Sequence, residues 1–246
     1  DYKPVAIKKW VVYTANFGRY DDPSRLADSI NKIWKKYYSK DEIDFVMFVD
    51  KRIVWKGNKN WKLIEKPLIQ SKFRDKDKYL TSRKYKLSID EIFYNYENSL
   101  YIDSNCILSE KIFELMKKFE NSKYSNGKHV GDLSNVKLDM MALHHQKHPN
   151  FDSEAKHAHQ HLRTEEEKKL MDRQKDFYNG HSYHGNIKQM PFITGRILIR
   201  RHSKNIKELS NLWFEQAEEW THRDQVSWQY VYYKKGLGKI SLDVIT

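Results

Sequence analysis

The sequence predicts an α/β fold, with a largely parallel sheet flanked by helices on both faces and a more helical C-terminal part. Short apolar runs rich in β-branched and aromatic residues alternate with stretches of helical spacing through the first half of the chain, which is typical of alternating strands and helices. Polar residues follow several of these runs directly, and ligands gather at such strand ends. The length of 246 residues and the lack of a repeat or linker favour one domain.

The first half of the chain carries the clearest alternation. Strand patterns occur in WVVYT at 10–14, DFVMFVD at 44–50, WKLIEKP at 61–67 and SLYIDSN at 99–105. Helical spacing predicts helices over residues 26–37, 76–96 and 109–119, the last with Ser109 as its N-cap. The polar residues that follow these strands are expected to line one cleft: Thr14, Asn16, Asp50, Asp103 and Asn105.

The second half is more helical. The charged stretch over residues 152–178 contains no helix breaker and predicts one or two surface helices. FITGRILIRRH at 192–202 predicts a strand that ends on two arginines and a histidine, and helices over residues 206–220 and 224–233 close the chain.

Composition narrows the class of partner. The formal net charge of +12 and the pI of about 9.4 indicate a polyanion, such as nucleic acid, an acidic membrane surface or a phosphate-bearing small molecule. The cationic residues are scattered among acids, which fits a solvated surface better than a nucleic-acid stripe. Cys106 is the one cysteine, and no signal peptide is recognisable. These features are compatible with the cytoplasm or the cytoplasmic face of a membrane, and they leave open an anchor or domain before Asp1.

Several short patterns carry chemistry, and each has a plain structural alternative. Asp103 and Asn105, two positions apart beyond a strand, can meet one hard cation, although both are also ordinary turn residues. Arg83 and Lys86 share a helix face and can hold a phosphate, or they form a solvated basic face. Asp224 begins a helix and is an N-cap on the simplest interpretation.

The strand end in LIRRH adds two more candidates. Arg200 can bind phosphate through paired hydrogen bonds, and His202 can ligate a metal or carry a proton. A single histidine is more often only hydrogen-bonded, so both interpretations of His202 stay open.

Other site classes find less support. Six histidines at 144, 145, 148, 157, 159 and 161 raise a zinc hypothesis, but neither an HExxH arrangement nor a cysteine pair accompanies them. An HNH-type nuclease could use Asn150 with His159, but its first histidine and its hairpin are missing. The absence of a Gly-rich phosphate loop speaks against nucleoside triphosphatases and dinucleotide oxidoreductases.

Six stretches occur in an order that resembles one family: YTANFGRYDDP, DFVMFVD, YLTSRKYKL followed by YIDSN, MDRQKDFYNG, ILIRRH and LWFEQAEEWTHRDQVSWQYVYYKKGL. It is the glycosyltransferase-like family once described as a domain of unknown function, which includes plant mucilage and pollen-tube turgor proteins. The likeness spans about Val11 to Leu237, and its most specific parts are the FGRYDD loop and the block around RDQVSWQYV.

The resemblance implies a GT-A type fold, with a Rossmann-type mixed sheet flanked by helices and a helical C-terminal part. A nucleotide-sugar-binding half would cover about residues 1–125, and an acceptor-binding and catalytic half about 126–246. In such folds a short acidic motif after the fourth strand holds a divalent ion, so Asp103 and Asn105, with His202 late in the chain, are the expected ligands of Mn²⁺ or Mg²⁺. Asn105 stands where the motif usually has a second aspartate.

The resemblance and the strand ends together give substrate contacts. Catalysis is expected of Asp224 and Gln225 in the RDQ block, and acceptor binding of His145 and Glu154 in HQKHPNFDSEA, where His148 replaces an arginine of the family pattern. The expected donor-binding residues are Thr14, Ala15, Asn16, Phe17, Gly18, Tyr20, Asp50, Arg83, Lys86 and Arg200.

The predicted function is therefore transfer of a sugar from a nucleotide-sugar to a glycan, polysaccharide or glycolipid acceptor, assisted by a divalent metal. The arrangement of SRKYKL before YIDSN favours a retaining reaction by the same resemblance. No specific nucleic-acid partner is expected, peripheral membrane association is open, and the oligomeric state is unknown. Two alternatives remain: a nucleic-acid-binding protein or nuclease, from the charge and aromatic content, and a non-catalytic sugar-binding module, from Asn105.

Overall fold

A seven-stranded mixed sheet with the strand order β3-β2-β1-β4-β6-β5-β7 forms the centre of the computed structural model. The structure describes residues 8–19, 21–51, 60–73, 75–122, 137–181 and 187–245. The strands are β1 (Lys8–Ala15), β2 (Ile43–Val49), β3 (Trp61–Glu65), β4 (Tyr96–Ile102), β5 (Met140–His144), β6 (Ile193–Arg201) and β7 (Leu242–Ile245).

Seven α-helices flank the sheet in the described part of the chain: α1 (Ser24–Ile33), α2 (Asp77–Leu87), α3 (Lys111–Asn121), α4 (Phe151–Gln160), α5 (Glu165–His181), α6 (Lys204–Glu219) and α7 (Asp224–Val231). Short 3₁₀ turns lie at Phe17–Arg19, Trp34–Lys36, Glu91–Phe93 and Ile187–Gln189, and a π-helical turn, Tyr232–Gly236, extends α7. None of the helices described combines the length and the apolar character needed to span a bilayer.

Strand direction decides which residues share an edge of the sheet. β1 pairs in parallel with β2 and β4, and β3 in parallel with β2. β6 runs antiparallel to both β4 and β5. The beginning of β6 therefore lies at the edge where β1, β2 and β4 end, as the bond from the Asp103 amide to the Arg196 carbonyl (2.9 Å) shows. We call this the carboxyl edge.

Alternation along the strands produces a core on each face. Val11 and Tyr13 of β1 join one buried cluster, which also contains side chains of α2, α4, α5, α6 and α7. Trp10 and Val12 point the other way, into a cluster with α1 and α3. Aromatic side chains fill much of both clusters, and Trp10, Trp213 and Trp228 are among the largest fully buried side chains.

The predicted mixed sheet with flanking helices and a helical C-terminal part is confirmed, and the structure corrects several elements. The helix predicted over 76–96 ends at Leu87, because Ser88 is extended and Asp90 caps the next turn through the Ile92 amide (3.1 Å). Ser109 does not cap α3, which begins at Lys111. The strands β5 and β7 were not predicted, and the predicted division near residue 125 falls outside the described residues.

The charged stretch over 152–178 forms two helices rather than one. They separate at residues 161–164, where Thr164 Oγ1 accepts the Glu167 amide (3.1 Å) and Glu167 accepts the Arg163 amide (3.1 Å). This reciprocal pattern starts a new helix in a segment without glycine or proline.

Candidate active site

A cavity of about 320 Å³ opens at the carboxyl edge, where β1 and β4 end. Seven of the predicted residues line it: Ala15, Asn16, Phe17, Gly18, Arg83, Asp103 and Asn105. The sequence did not single out seven others: Asp21, Asp75, Lys78, Tyr79, Ser82, Tyr101 and Ser104. We call this space the donor cavity. Its size suits a small-molecule ligand.

The loop after β1 forms one wall of the donor cavity. Asn16 donates its side-chain amide to the Asp21 carbonyl (2.9 Å), and the Gly18 amide donates to the Asp50 carboxylate (3.1 Å). Gly18 has φ of +75°, and a Cβ there would collide with Lys78, so glycine fits the position for two reasons. Asp50 therefore holds the loop through this hydrogen bond and does not itself line the donor cavity. Thr14 is fully buried beneath it, and Tyr20 lies outside the described residues.

The stretch after β4 brings oxygen atoms into the donor cavity. Asp103 Oδ1 accepts the Tyr101 hydroxyl (2.8 Å), and the side chain of Asp103 is 25% exposed. Asn105 is exposed, and Ser104 donates to Asp21 Oδ2 (2.6 Å), which fixes a second carboxylate beside Asp103. Carboxylate and amide oxygens are the ligands that Mg²⁺ and Mn²⁺ prefer, so this donor set fits such an ion.

Next to Asp103, a buried ion-pair network joins α2 to α7. Asp224, 3% exposed, lies 2.7 Å from Lys86 Nζ through Oδ2 and 3.1 Å from Arg83 Nε through Oδ1. Lys86 Nζ is also 3.7 Å from Asp103 Oδ1. Burial opposes ionisation of Asp224, but Arg83 and Lys86 outweigh it and hold the pKa of that carboxyl at about 2. Asp224 is therefore an anion at every physiological pH.

The start of α7 is shaped for this network rather than for capping. Arg223 occupies the N-cap position of α7, so the simple interpretation of Asp224 as an N-cap is wrong. His222, just before it, has φ of +61°, which is unfavourable for a residue with a Cβ. In that conformation its carbonyl accepts Arg83 Nε (3.3 Å). The ion pair of Arg83 with Asp224 and its bond to this carbonyl both involve Nε, and Arg83 also lines the donor cavity.

The beginning of β6 completes the site. A Cβ added to Gly195 would lie 2.8 Å from Lys86 Nζ and 2.9 Å from Asp224 Oδ2. Glycine at this position lets the ion pair pack directly against the strand backbone. Gln225, predicted to be catalytic, donates to Thr194 Oγ1 (3.2 Å) in the same strand.

The predicted metal ligand His202 and the predicted donor-binding residue Arg200 lie elsewhere, and both predictions are wrong for the same reason, the antiparallel direction of β6. His202 follows β6, and its amide donates to the Glu97 carbonyl (2.9 Å), at the edge of the sheet opposite Asp103. Strand residues advance about 3.3 Å each, so the length of β4 separates the two side chains. Burial lowers the pKa of His202 to about 4, and its Nδ1 bonds to the Phe93 carbonyl (3.1 Å).

Arg200, predicted to bind the donor, is fully buried and holds α2 instead. Nη1 donates to the Leu87 carbonyl (2.6 Å), and Nη2 donates to the Lys86 carbonyl (3.1 Å) and the Tyr13 hydroxyl. A cation that binds the last carbonyls of a helix stabilises its C-terminus. Arg200 therefore positions the helix that carries Arg83 and Lys86. Lys86 itself is 4% exposed and does not line the donor cavity.

Replacing Arg200 with methionine is expected to lower the free energy of unfolding by about 3–4 kcal/mol, because buried carbonyl and hydroxyl groups lose their donors. Nucleoside diphosphate binding should weaken as well, since the end of α2 loses its cap. Denaturant unfolding and calorimetry measure the two effects. Arg25→Met, an exposed arginine on α1, is the control, and equal stability of Arg200→Met and the parent chain would contradict the role.

The predicted acceptor residues lie at the carboxyl edge beyond β5. His145 Nε2 is 3.6 Å from Glu154 Oε2, and neither residue lines the donor cavity. A groove of about 480 Å³ instead adjoins the donor cavity and shares Asp75, Tyr79 and Arg83 with it. We call it the basic groove, since Lys72, Lys76, Arg163 and Arg223 also line it.

Comparison with known proteins supports the resemblance seen in the sequence. The family model described as "TOD1/MUCI70, glycosyltransferase-like domain" matches residues 1–242. No curated protein matches the chain.

Three solved glycosyltransferases illustrate the structural similarity. The galactosyltransferase LgtC, solved with donor and acceptor sugar analogs, is 11% identical with a TM-score of 0.46, over 95% of this chain and 72% of that one. Mouse xyloside xylosyltransferase 1 is 8% identical with a TM-score of 0.45, over 97% and 84%. The S. cerevisiae mannosyltransferase Ktr4p is 9% identical with a TM-score of 0.45, over 94% and 67%.

These identities and TM-scores are too low to transfer a substrate or a mechanism to this chain. The family match is stronger evidence, because the family model matches the sequence itself over residues 1–242, through every described element up to the start of β7. It confirms the predicted family and its glycosyltransferase function at the level of the family description. The chain belongs to the TOD1/MUCI70 glycosyltransferase-like domain family.

Proposed function

We propose that this chain transfers a sugar from a nucleotide-sugar, bound in the donor cavity, to an acceptor that enters through the basic groove. The observation that carries the proposal is the position of Arg83, which lines both spaces and is held by the ionised Asp224. Two substrates that meet at Arg83 would have their reacting atoms beside this cation, and the ionised Asp224 and Lys86 lie buried behind it. Preorganised charges of this kind stabilise charge that develops in a transition state.

A divalent ion, Mn²⁺ or Mg²⁺, fits the oxygen atoms of Asp103, Asn105 and Asp21 in the donor cavity. When bound, such an ion would neutralise the diphosphate leaving group. The residues of the chain have separate tasks: the loop around Gly18 contacts the nucleoside, and Arg83 donates to the phosphates through its terminal nitrogens. Tyr79, 42% exposed, lines both spaces and offers a ring face to a sugar.

The state of Asp224 supports a retaining reaction. A general base works best when its pKa lies near the operating pH, whereas the pKa of Asp224 is held at about 2. Such a carboxylate is a poor proton acceptor and a good fixed counter-charge. We therefore assign Asp224 the stabilisation of positive charge at the anomeric carbon, and Gln225, held by Thr194, the positioning of sugar hydroxyls.

A panel of nucleotide-sugars with Mn²⁺ tests the proposal through release of nucleoside diphosphate and through the anomeric configuration of the product. We expect Arg83→Met to bind the nucleoside diphosphate about 10- to 100-fold more weakly, because a charge-assisted hydrogen bond contributes about 1.5–3 kcal/mol. Lys84→Met is the matched control, because Lys84 Nζ lies over the Phe214 ring (4.7 Å) rather than in the cavity.

The outcomes separate the alternatives. Nucleotide binding without turnover across donors would indicate a sugar-binding module, and tight salt-sensitive binding of an oligonucleotide in place of nucleotides would indicate the nucleic-acid alternative. An inverted product would overturn the retaining assignment alone.

A further inference from the structure

Three metal-ligating side chains converge outside the donor cavity, on the other side of the α7 start. His145 and His148 come from the irregular segment after β5, and Glu154 from the first turns of α4. The Nε2 atoms of His145 and His148 lie 3.6 Å and 3.7 Å from Glu154 Oε2. One ligand atom from each of the three residues falls within 4.8 Å of the other two.

Glu154 is the unusual member of this group. It is 5% exposed, yet its carboxylate has no hydrogen-bond donor within reach in the described part of the chain, and the two imidazoles stand just beyond hydrogen-bonding distance. Buried carboxylates are nearly always hydrogen-bonded, paired or bound to a metal. The two histidines are half-buried and their Nε2 atoms face this carboxylate, so the space between the three side chains is polar.

We propose that His145, His148 and Glu154 bind one divalent transition-metal ion of the zinc class. Bonds of about 2.0–2.2 Å in a tetrahedral site put neighbouring ligand atoms about 3.3–3.6 Å apart. The separations of 3.6 Å and 3.7 Å are close to that, and much longer than hydrogen bonds. Two imidazoles with one carboxylate suit zinc, cobalt or iron rather than Mg²⁺, which distinguishes this site from the oxygen atoms around Asp103.

Binding would require one local rearrangement. The Nδ1 of His145 accepts the His148 amide (3.1 Å), which places the proton of neutral His145 on Nε2, the atom that would bind the ion. Metal binding moves that proton to Nδ1 and releases the His148 amide. The segment between β5 and α4 belongs to neither element, so this amide can turn without breaking a sheet or helix bond.

Three protein ligands leave a fourth position open on a tetrahedral ion. Arg223, which precedes Asp224 and lines the basic groove, acts electrostatically on Glu154. The open position of an ion at this site would take a water molecule or an oxygen atom of a ligand.

The test uses Co²⁺ as a probe on the full chain after chelator treatment, without any nucleotide. We expect a visible absorption band typical of low-coordinate cobalt that saturates at one Co²⁺ per chain, and loss of this band when Zn²⁺ displaces the Co²⁺. His148→Ala should bind at least about 100-fold more weakly, because loss of an outer-shell partner alone typically costs about 10- to 100-fold. Glu154→Gln, which keeps the shape of the side chain, should lose the band as well.

Two controls make the result specific. His159→Ala removes a histidine of α4 outside the triad and should leave the spectrum unchanged, and Asp103→Ala should do the same because Asp103 belongs to the donor cavity and not to the triad. Absence of stoichiometric Co²⁺ binding, or equal binding by the His148→Ala and His159→Ala proteins, would overturn the proposal. Neither result depends on sugar transfer, so failure here leaves the proposed function standing.

Discussion

The Asp224→Asn protein is expected to lose sugar transfer by about 10²–10³-fold, the usual cost of removing one preorganised charged or polar group from an active site. It should also be less stable, because Arg83 and Lys86 would remain buried without their counter-charge. Breaking a buried ion pair from one side typically costs about 3–5 kcal/mol. Transfer rates and denaturant unfolding, both measured well below the melting temperature, separate the two effects.

A second substitution shows whether charge balance explains the loss of stability. In the double variant Asp224→Asn with Lys86→Met, one unpaired cation is removed, so stability should partly return while transfer stays low.

The pKa of Asp224, about 2, lies below its ordinary value of 3.8. Its contribution to stability is therefore complete above about pH 4 and is lost as the pH falls toward 2. The part of the stability difference that comes from the ionisation of Asp224 should therefore be constant from pH 5 to 8. Transfer at the parent rate would show that Asp224 has no catalytic role.

Gly195→Ala is expected to reduce transfer strongly while the chain stays folded. The added Cβ would lie 2.7 Å from Lys86 Cε and 2.9 Å from Asp224 Oδ2, too close for either atom to keep its place. Both atoms are at the ends of side chains, so they can move apart without displacing backbone. The ion pair should therefore loosen, and a displacement of about 1 Å near reacting groups can cost about 10²-fold in rate.

Gly180→Ala is the matched control for this experiment. Gly180 lies in the last turn of α5, and in the described part of the chain no atom outside the local helix backbone lies within 4 Å of an added Cβ. Alanine is also the better helix former. We expect its transfer rate to be unchanged and its melting temperature to be equal or higher. Transfer by Gly195→Ala at the rate of Gly180→Ala would contradict the close approach at β6.

Strand ends were the part of the site that the sequence could reveal. β1, β2 and β4 are buried apolar runs, so their boundaries and the polar residues after them were readable, and parallel pairing put the loop at Gly18 and Asp103 together. β5, with the sequence MMALH, has no β-branched residue, and β7 has four half-buried residues. Neither carries the pattern that distinguishes a strand from its surroundings.

Direction along β6 is what the sequence left open. The apolar run in FITGRILIRRH predicts a strand without giving its direction in the sheet. Only a strand parallel to β4 would bring the polar residues after it to the carboxyl edge, where the donor cavity lies. Because β6 is antiparallel, Gly195 near its beginning lies in the site. A glycine inside a strand often marks close approach of another group, and this signal was present in the sequence. The pairing of Asp224 with α2 was not, since it depends on tertiary packing between distant segments.

The pairing of β6 with β4 also affects how the chain can fold while it is being synthesised. Ribosomes release β1 to β4 and α2 well before β6, at about 5–20 residues per second. Until β6 emerges, the edge of β4 has no partner and the carbonyls at the end of α2 lack Arg200. Open strand edges invite pairing between chains. We therefore expect a fragment that ends before Ile193 to aggregate rather than to bind nucleotide.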